Sequence, residues 1–216
     1  MSLTLHFHPL SSFCHKVLIA LYENSTLFTP KLVNLQDESE RAAFRALWPV
    51  GKFPVLHDES RDRMVPESSI IIEYLDRHYP GATRFVPEDP EQSRVVRFGD
   101  RFYDLHIHLH MQKIVGDRLR PPNAKDPHGV EDARTRMAAA LALAEEQMAS
   151  RTWAMGESFT MADCGAAPAL FYSDKLAPLA GTYPNLAAYL DRLKQRPSYA
   201  RTLKEAEPYM QFFPKE

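Results

Sequence analysis

The sequence predicts an α/β domain of element order βαβαββα followed by an all-α helical domain, and three observations carry that prediction. Over the first eighty residues, short apolar runs alternate with stretches of helical spacing. A proline- and glycine-bearing segment, Tyr79 to Gln92, then interrupts the pattern with Pro80, Gly81, Pro87 and Pro90. Beyond it, apolar residues recur at steps of three and four, the signature of helices. The boundaries that follow are an N-terminal domain at 1–79, a linker at 80–90 and a helical domain at 91–216.

The elements can be justified in order. Leu3 to Phe7 is apolar enough for a buried strand, Phe13 to Tyr22 has helical spacing, Lys31 to Leu35 reads as a strand and Glu38 to Leu47 as a helix. Pro54 to His57 and Arg63 to Pro66 flank the charged turn Asp58 to Asp62, which makes them a hairpin, and Ser69 to His78 closes the domain as a helix. In the second domain Val95, Phe98, Phe102, Leu105 and Leu109 mark one helix, and the alanine-rich Val130 to Ala149 another. Helix breaks fall at Arg120-Pro121-Pro122-Asn123, Gly156-Glu157-Ser158 and Gly181-Thr182-Tyr183-Pro184-Asn185. Phe159-Thr160-Met161-Ala162-Asp163-Cys164 predicts a capped helix start, with Thr160 as N-cap, Asp163 three residues on in place of the usual Glu or Gln, and Phe159 and Cys164 at the staple positions.

Composition narrows the function. A chain of 216 residues buries a core without disulfide staples. A formal charge of −2 and a pI near 6.5 leave no excess of cations for a phosphate backbone, so nucleic acid is not the expected partner. No apolar run approaches the length of a membrane span. Only Cys14 and Cys164 are present, and no charged-then-apolar leader precedes the first strand, so a cytoplasmic location is the expectation.

Chemistry concentrates at Leu10-Ser11-Ser12-Phe13-Cys14, between the first strand and the first helix. Two hydroxyls and a thiol sit where unpaired N–H groups and the positive end of the helix dipole converge, a place that holds an anion or a thiolate. Either serine could equally serve only as an N-cap. A second cluster, His106-Ile107-His108-Leu109-His110, suggests a metal, but on a helix His106 and His110 share a face while His108 points away, and no further ligands complete a closed site. No metal is expected.

Four segments resemble the cytosolic glutathione transferases, in particular bacterial members with a serine-type site, and the likeness covers essentially the whole chain. They are Ser11-Ser12-Phe13-Cys14 with the following Lys16 to Leu21; Pro49-Val50-Gly51-Lys52-Phe53-Pro54-Val55-Leu56; Pro66-Glu67-Ser68-Ser69-Ile70; and Phe159 to Asp163. The resemblance implies a thioredoxin-like N-terminal domain that binds glutathione as co-substrate through Ser11, Lys52, Phe53, Pro54, Glu67 and Ser68. It implies that Pro54 is cis and that Phe53 offers its backbone to the peptide. Lys52 suits the glycine carboxylate of the tripeptide, and Glu67 with Ser68 suits the ammonium and carboxylate of its γ-glutamyl end.

The implied catalytic role falls to Ser11 or Ser12, donating a hydrogen bond that stabilises the glutathione thiolate, with Cys14 as a third possible donor. Ser-x-x-Cys looks like a redox Cys-x-x-Cys that has lost its nucleophile, which argues against disulfide exchange. Cys14 is expected to pack in the core, as is Cys164. A hydrophobic electrophile would lie against Leu10, Tyr103, His106, His110, Phe212 and Phe213, some of which could instead pack together. The implied activity is conjugation, a detoxification chemistry. Glutathione-dependent cis-trans isomerisation and a non-catalytic binding role are the alternatives, and a homodimer is implied with them.

Overall fold

The computed structural model describes residues 2–214. Its first strand, β1 (Leu3–Phe7), is largely buried and has a neighbour on each side. It pairs in parallel with β2 (Thr29–Leu32) and antiparallel with β3 (Val55–Asp58), and β3 pairs antiparallel with β4 (Arg63–Pro66), giving the order β2-β1-β3-β4. This is the mixed sheet of a thioredoxin-like domain. Helices α1 (Ser12–Glu23), α2 (Glu38–Leu47) and α3 (Ser68–His78) complete the order βαβαββα.

Several boundaries differ from the sequence reading, most by one residue, as at α1, which runs from Ser12 to Glu23 and not from Phe13 to Tyr22; β2 moves furthest among the strands. β2 occupies Thr29–Leu32 instead of 31–35, and all four residues are exposed. An edge strand tolerates Pro30, which lacks an N–H. The apolar residues that attract the eye lie just beyond it, where Val33 packs with Phe44 and Val55 and with the half-buried Leu35 and Trp48. β3 begins at Val55, after Pro54, and α3 begins at Ser68.

α1 forms because Val17, Leu18, Ile19, Ala20 and Leu21 all bury and no breaker interrupts them; it stops at Asn24. The β3–β4 turn is pinned by Asp58, whose buried carboxylate accepts from Ser60 Oγ at 2.7 Å, Tyr74 at 2.7 Å and Tyr79 at 2.6 Å.

Two compact units emerge. The first joins the residues up to Phe85 to Pro197–Tyr209; the second joins Val86–Arg196 to the residues from Met210 on. In the first unit the late helix α9 (Pro197–Ala206) packs along α1. Tyr199 is buried there, Ser198 donates to Glu23 at 2.7 Å, and Arg201 lies 3.9 Å from the centre of the Tyr22 ring.

The second unit is helical. α4 (Pro90–Phe102) is capped by Asp89 and runs through a π-helical stretch, Tyr103–His108, into α5 (Leu109–Arg118). α6 (Pro127–Met148), α7 (Met161–Leu176) and α8 (Pro184–Gln195) follow. The periodic residues read as one helix in the sequence are spread over α4, the π-helical stretch and α5 and are not chiefly a core face: Phe102 is buried, but Val95 and Phe98 of α4, Leu105 of the π-helical stretch and Leu109 of α5 stay exposed. At α7 the reciprocal cap forms as expected, with Thr160 N–H donating to Asp163 at 2.8 Å; Phe159 and Cys164 are both buried. Among the described residues no helix is long and apolar enough to cross a membrane.

Candidate active site

Strand register assembles the first unit's site. His6 faces Val55 across β1 and β3, and Val55 faces Pro66 across β3 and β4. With strands about 4.8 Å apart, the loop after β1, the loop before β3 and the loop after β4 therefore emerge side by side. Those loops carry Ser11, then Lys52, Phe53 and Pro54, then Glu67 and Ser68. Six residues scattered over the sequence are gathered at one end of the sheet.

Ser11 is the N-cap of α1, in extended backbone, with Oγ accepting from Cys14 N–H at 3.4 Å. That is a long cap bond, and no acidic residue sits in the first turn of α1. The helix end is left positive. Ser11 is half-exposed, whereas Ser12 and Cys14 are buried. The Cys14 thiol touches the Ser11 hydroxyl, yet complete burial pushes its pKa up to about 12, so it remains a neutral thiol. This agrees with the expectation that Cys14 packs.

The Phe53–Pro54 peptide is cis, as the resemblance implied. Lys52 next to it is exposed, following Gly51, whose φ of +68° suits glycine. A Cβ at Gly51 would also meet the Arg45 side chain at 3.1 Å. Glu67 has φ 70° and ψ 119°, a conformation that costs a non-glycine residue about 1–3 kcal/mol and that collects at ligand sites. It precedes α3 without a side-chain cap bond, and no acid occupies the first turn. A second helix N-terminus thus faces the site with its N–H groups unclaimed by an acidic side chain.

Sequence reasoning missed the groups that fix the Ser11 loop. His8 Nδ1 accepts from Leu10 N–H at 3.2 Å, and its carbonyl accepts from Ser11 N–H at 2.9 Å. His15, fully buried on α1, bonds Pro9 O through Nε2 at 2.6 Å. Each ring lies against a tyrosine of the returning C-terminal segment, His8 against Tyr209 at 5.4 Å and His15 against Tyr199 at 6.2 Å. Two histidines bracketing His8-Pro9-Leu10-Ser11 were the available signal; the return of residues 197–209 left none.

Of the residues expected to meet an electrophile, Leu10 is half-buried in the first unit's loop. The other five belong to the second unit. Tyr103 is buried within the π-helical stretch, edge-on to Phe102 at 5.5 Å, and burial raises its hydroxyl pKa. His106 is exposed beside Phe102, and His110 is half-buried, its pKa lowered by burial. Phe212 is exposed, while Phe213 stacks on Tyr172 at 5.5 Å. Among the described residues no three His, Cys, Asp or Glu side chains converge as a metal site.

A thioredoxin-like sheet with a serine-capped helix and a cis-proline loop, followed by a helical unit, defines the class of fold. The chain belongs to the glutathione transferase family: residues 5–83 match the family's N-terminal domain and residues 127–192 its C-terminal domain. It is 25% identical over 209 residues to glutathione S-transferase F13 of Arabidopsis thaliana, covering 93% of this chain and 94% of the other. It is 32% identical over 204 residues to a stringent starvation protein A homolog of Haemophilus influenzae, covering 91% and 87%. A glutathione S-transferase from Methylobacillus flagellatus, solved with glutathione bound, superposes with a TM-score of 0.85 at 25% identity, covering 93% of this chain and 98% of that one. One from Methylobacterium radiotolerans, in complex with glutathione sulfonate, gives 0.82 at 26% identity, covering 93% of each.

Proposed function

We propose that the protein is a glutathione transferase that binds glutathione, stabilises its thiolate with the Ser11 hydroxyl and presents it to a small hydrophobic electrophile. The observation that carries this reading is the half-exposed Ser11 at an α1 terminus with no acid in its first turn. A thiol of pKa about 8.5 is only about 3% ionised at pH 7; lowering it two units makes it about 75% thiolate. A donated hydrogen bond and a helix dipole supply effects of that size. The proton leaves to water, the sulfur pair forms the bond to carbon, and the leaving group or π electrons take the displaced pair.

Lys52 would pair with the glycine carboxylate, Phe53 beside cis-Pro54 would hydrogen-bond the peptide backbone, and Glu67 with Ser68 would hold the γ-glutamyl end. Ser12 and Cys14 are weaker choices for the sulfur's donor because both are buried. Leu10, Tyr103, His106, His110, Phe212 and Phe213 are proposed for the electrophile. The exposed stripe Val95, Phe98, Leu105 and Leu109 supports a homodimer. Replacing Phe98 with Asp is expected to shift the mass measured by light scattering to that of a monomer.

Titration of thiolate absorbance for bound glutathione tests the central claim. A pKa well below the free value that rises in Ser11→Ala supports it; an unchanged value moves the role to Ser12 or Cys14. A second reading, a binding protein with little turnover, is favoured by the relative named for starvation response and not for transferase activity. Undetectable turnover across a panel of model electrophiles, with glutathione still bound, would select it; turnover of a cis-alkene would select the isomerase.

A further inference from the structure

We propose that His8 is a positioning residue for the Ser11 site, its neutral imidazole holding the loop that carries Ser11 in register. This rests on the reading of Ser11 as the thiolate's donor. His8 ends β1 and fastens the loop at two points. Its ring Nδ1 lies 3.2 Å from Leu10 N, and its carbonyl oxygen 2.9 Å from Ser11 N. An amide N–H can only donate, so Nδ1 must present a lone pair and the ring proton must sit on Nε2. Protonation at Nδ1 would set two donors face to face and release Leu10 N–H.

The ring is held in place from both sides. Phe53 of the cis-proline loop stacks on it at 6.1 Å with planes 20° apart, and Tyr209 meets it edge-on at 5.4 Å. His8 therefore links the Ser11 loop, the peptide-binding loop and the C-terminal segment of the same unit. The titratable groups that touch it are Tyr209, edge-on to its ring, and Cys14 of α1, beside its carbonyl; His6 of β1 and His15 of α1 are the nearest histidines in sequence, and Lys52 adjoins Phe53. Burial holds Cys14 as a thiol and holds His6 and His15 at about 4, so none of them carries a charge near neutral pH. Burial also lowers the pKa of His8, favouring the neutral ring the contact requires.

Two substitutions separate tethering from simple packing. His8→Asn keeps an acceptor two residues before Leu10, as in an Asx turn, but does not titrate; His8→Leu keeps bulk and removes the acceptor. Expected near neutral pH is a loss of kcat/KM of about tenfold in His8→Leu, the size of one lost hydrogen bond. The bound sulfur's pKa should rise in that variant, and His8→Asn should restore both. On the acid side, log kcat/KM of the wild type should drop about one further log unit below a slope-one line as His8 protonates, and His8→Asn should stay on that line.

The same pH range should accelerate hydrogen exchange at the Leu10 amide in the wild type only, with ring 15N shifts reporting Nε2 protonation near neutral pH. Matching pH profiles for wild type and His8→Asn, or a proton on Nδ1 at neutral pH, would overturn the proposal. Failure to bind glutathione would instead sink the transferase reading, while the ring shifts and Leu10 exchange would still decide whether His8 tethers the loop.

Discussion

At the start of α7, the Asp163 carboxylate accepts from Thr160 N–H at 2.8 Å, Thr160 Oγ1 at 3.1 Å, Ala154 N–H at 2.7 Å and the Tyr189 hydroxyl at 2.6 Å. At the start of α1, Ser11 offers one acceptor at 3.4 Å, and α3 begins after Glu67 with no side-chain cap bond. All three helices present the same orphan N–H groups and the same dipole. In α7 the chain supplies its own anion and the end is spent on folding. In α1 and α3 no acid stands in the first turn, and under the proposed function those ends would meet the carboxylate or thiolate of glutathione.

The largest expected effect breaks the closed terminus. Asp163→Ala should lower unfolding free energy by about 3–4 kcal/mol, because several buried donors lose their acceptor together; urea denaturation measures it, and a loss under 1 kcal/mol would remove the contrast. Ser11→Ala opens the other end further. Its stability should fall by about 1 kcal/mol or less, while kcat/KM with a model electrophile drops about 10- to 100-fold, the worth of a hydrogen bond to a charged sulfur. A residue that mattered only as a cap would show the reverse proportion.

pH sharpens the comparison, because the Ser11 loop hangs on a buried histidine. His15 has a folded pKa near 4 against an ordinary 6.5, lowered by burial. The unfolded chain therefore takes up the proton first, and His15 alone should lower stability by about 1 kcal/mol per pH unit from 6.5 down to 4, on top of the like contribution of His6, whose folded pKa is also about 4. His15→Gln, which keeps a donor for Pro9 O, should remove that share of the slope in urea titrations and leave the share of His6. Smallest of all, Arg94→Ala removes an exposed pair with Glu91 within the first turns of α4 and should change stability by less than about 0.5 kcal/mol.

Much of the fold is legible because local rules and tertiary structure agree: the apolar run of β1, spacing in α1 and α2, turn residues at Asp58 to Asp62, and the Thr160-to-Asp163 cap. β2 is displaced because its apolar signal, Val33 and Leu35, belongs to packing just after the strand and not to the strand itself. The stripe running from α4 into α5 shows the limit of periodicity, which reports that a helix has an apolar face but not what covers it. The site's anchors follow the same division. Ser11, Phe53-Pro54 and Glu67-Ser68 stand at visible element ends, whereas His8 and His15 lie against Tyr209 and Tyr199, 201 and 184 residues further along the chain.

That distance has a consequence for how the protein is made. The first unit is discontinuous in the chain, since α9 is its last part and all of Val86–Arg196 must be translated before Pro197 appears. At about 5–20 residues per second that is on the order of ten seconds. Throughout the interval the nascent first unit leaves the ribosome with the α9-facing side of α1 uncovered, including the surface around His15 that Tyr199 later covers. A premature stop just ahead of α9 would thus damage the oldest part of the chain, although everything removed comes from its end.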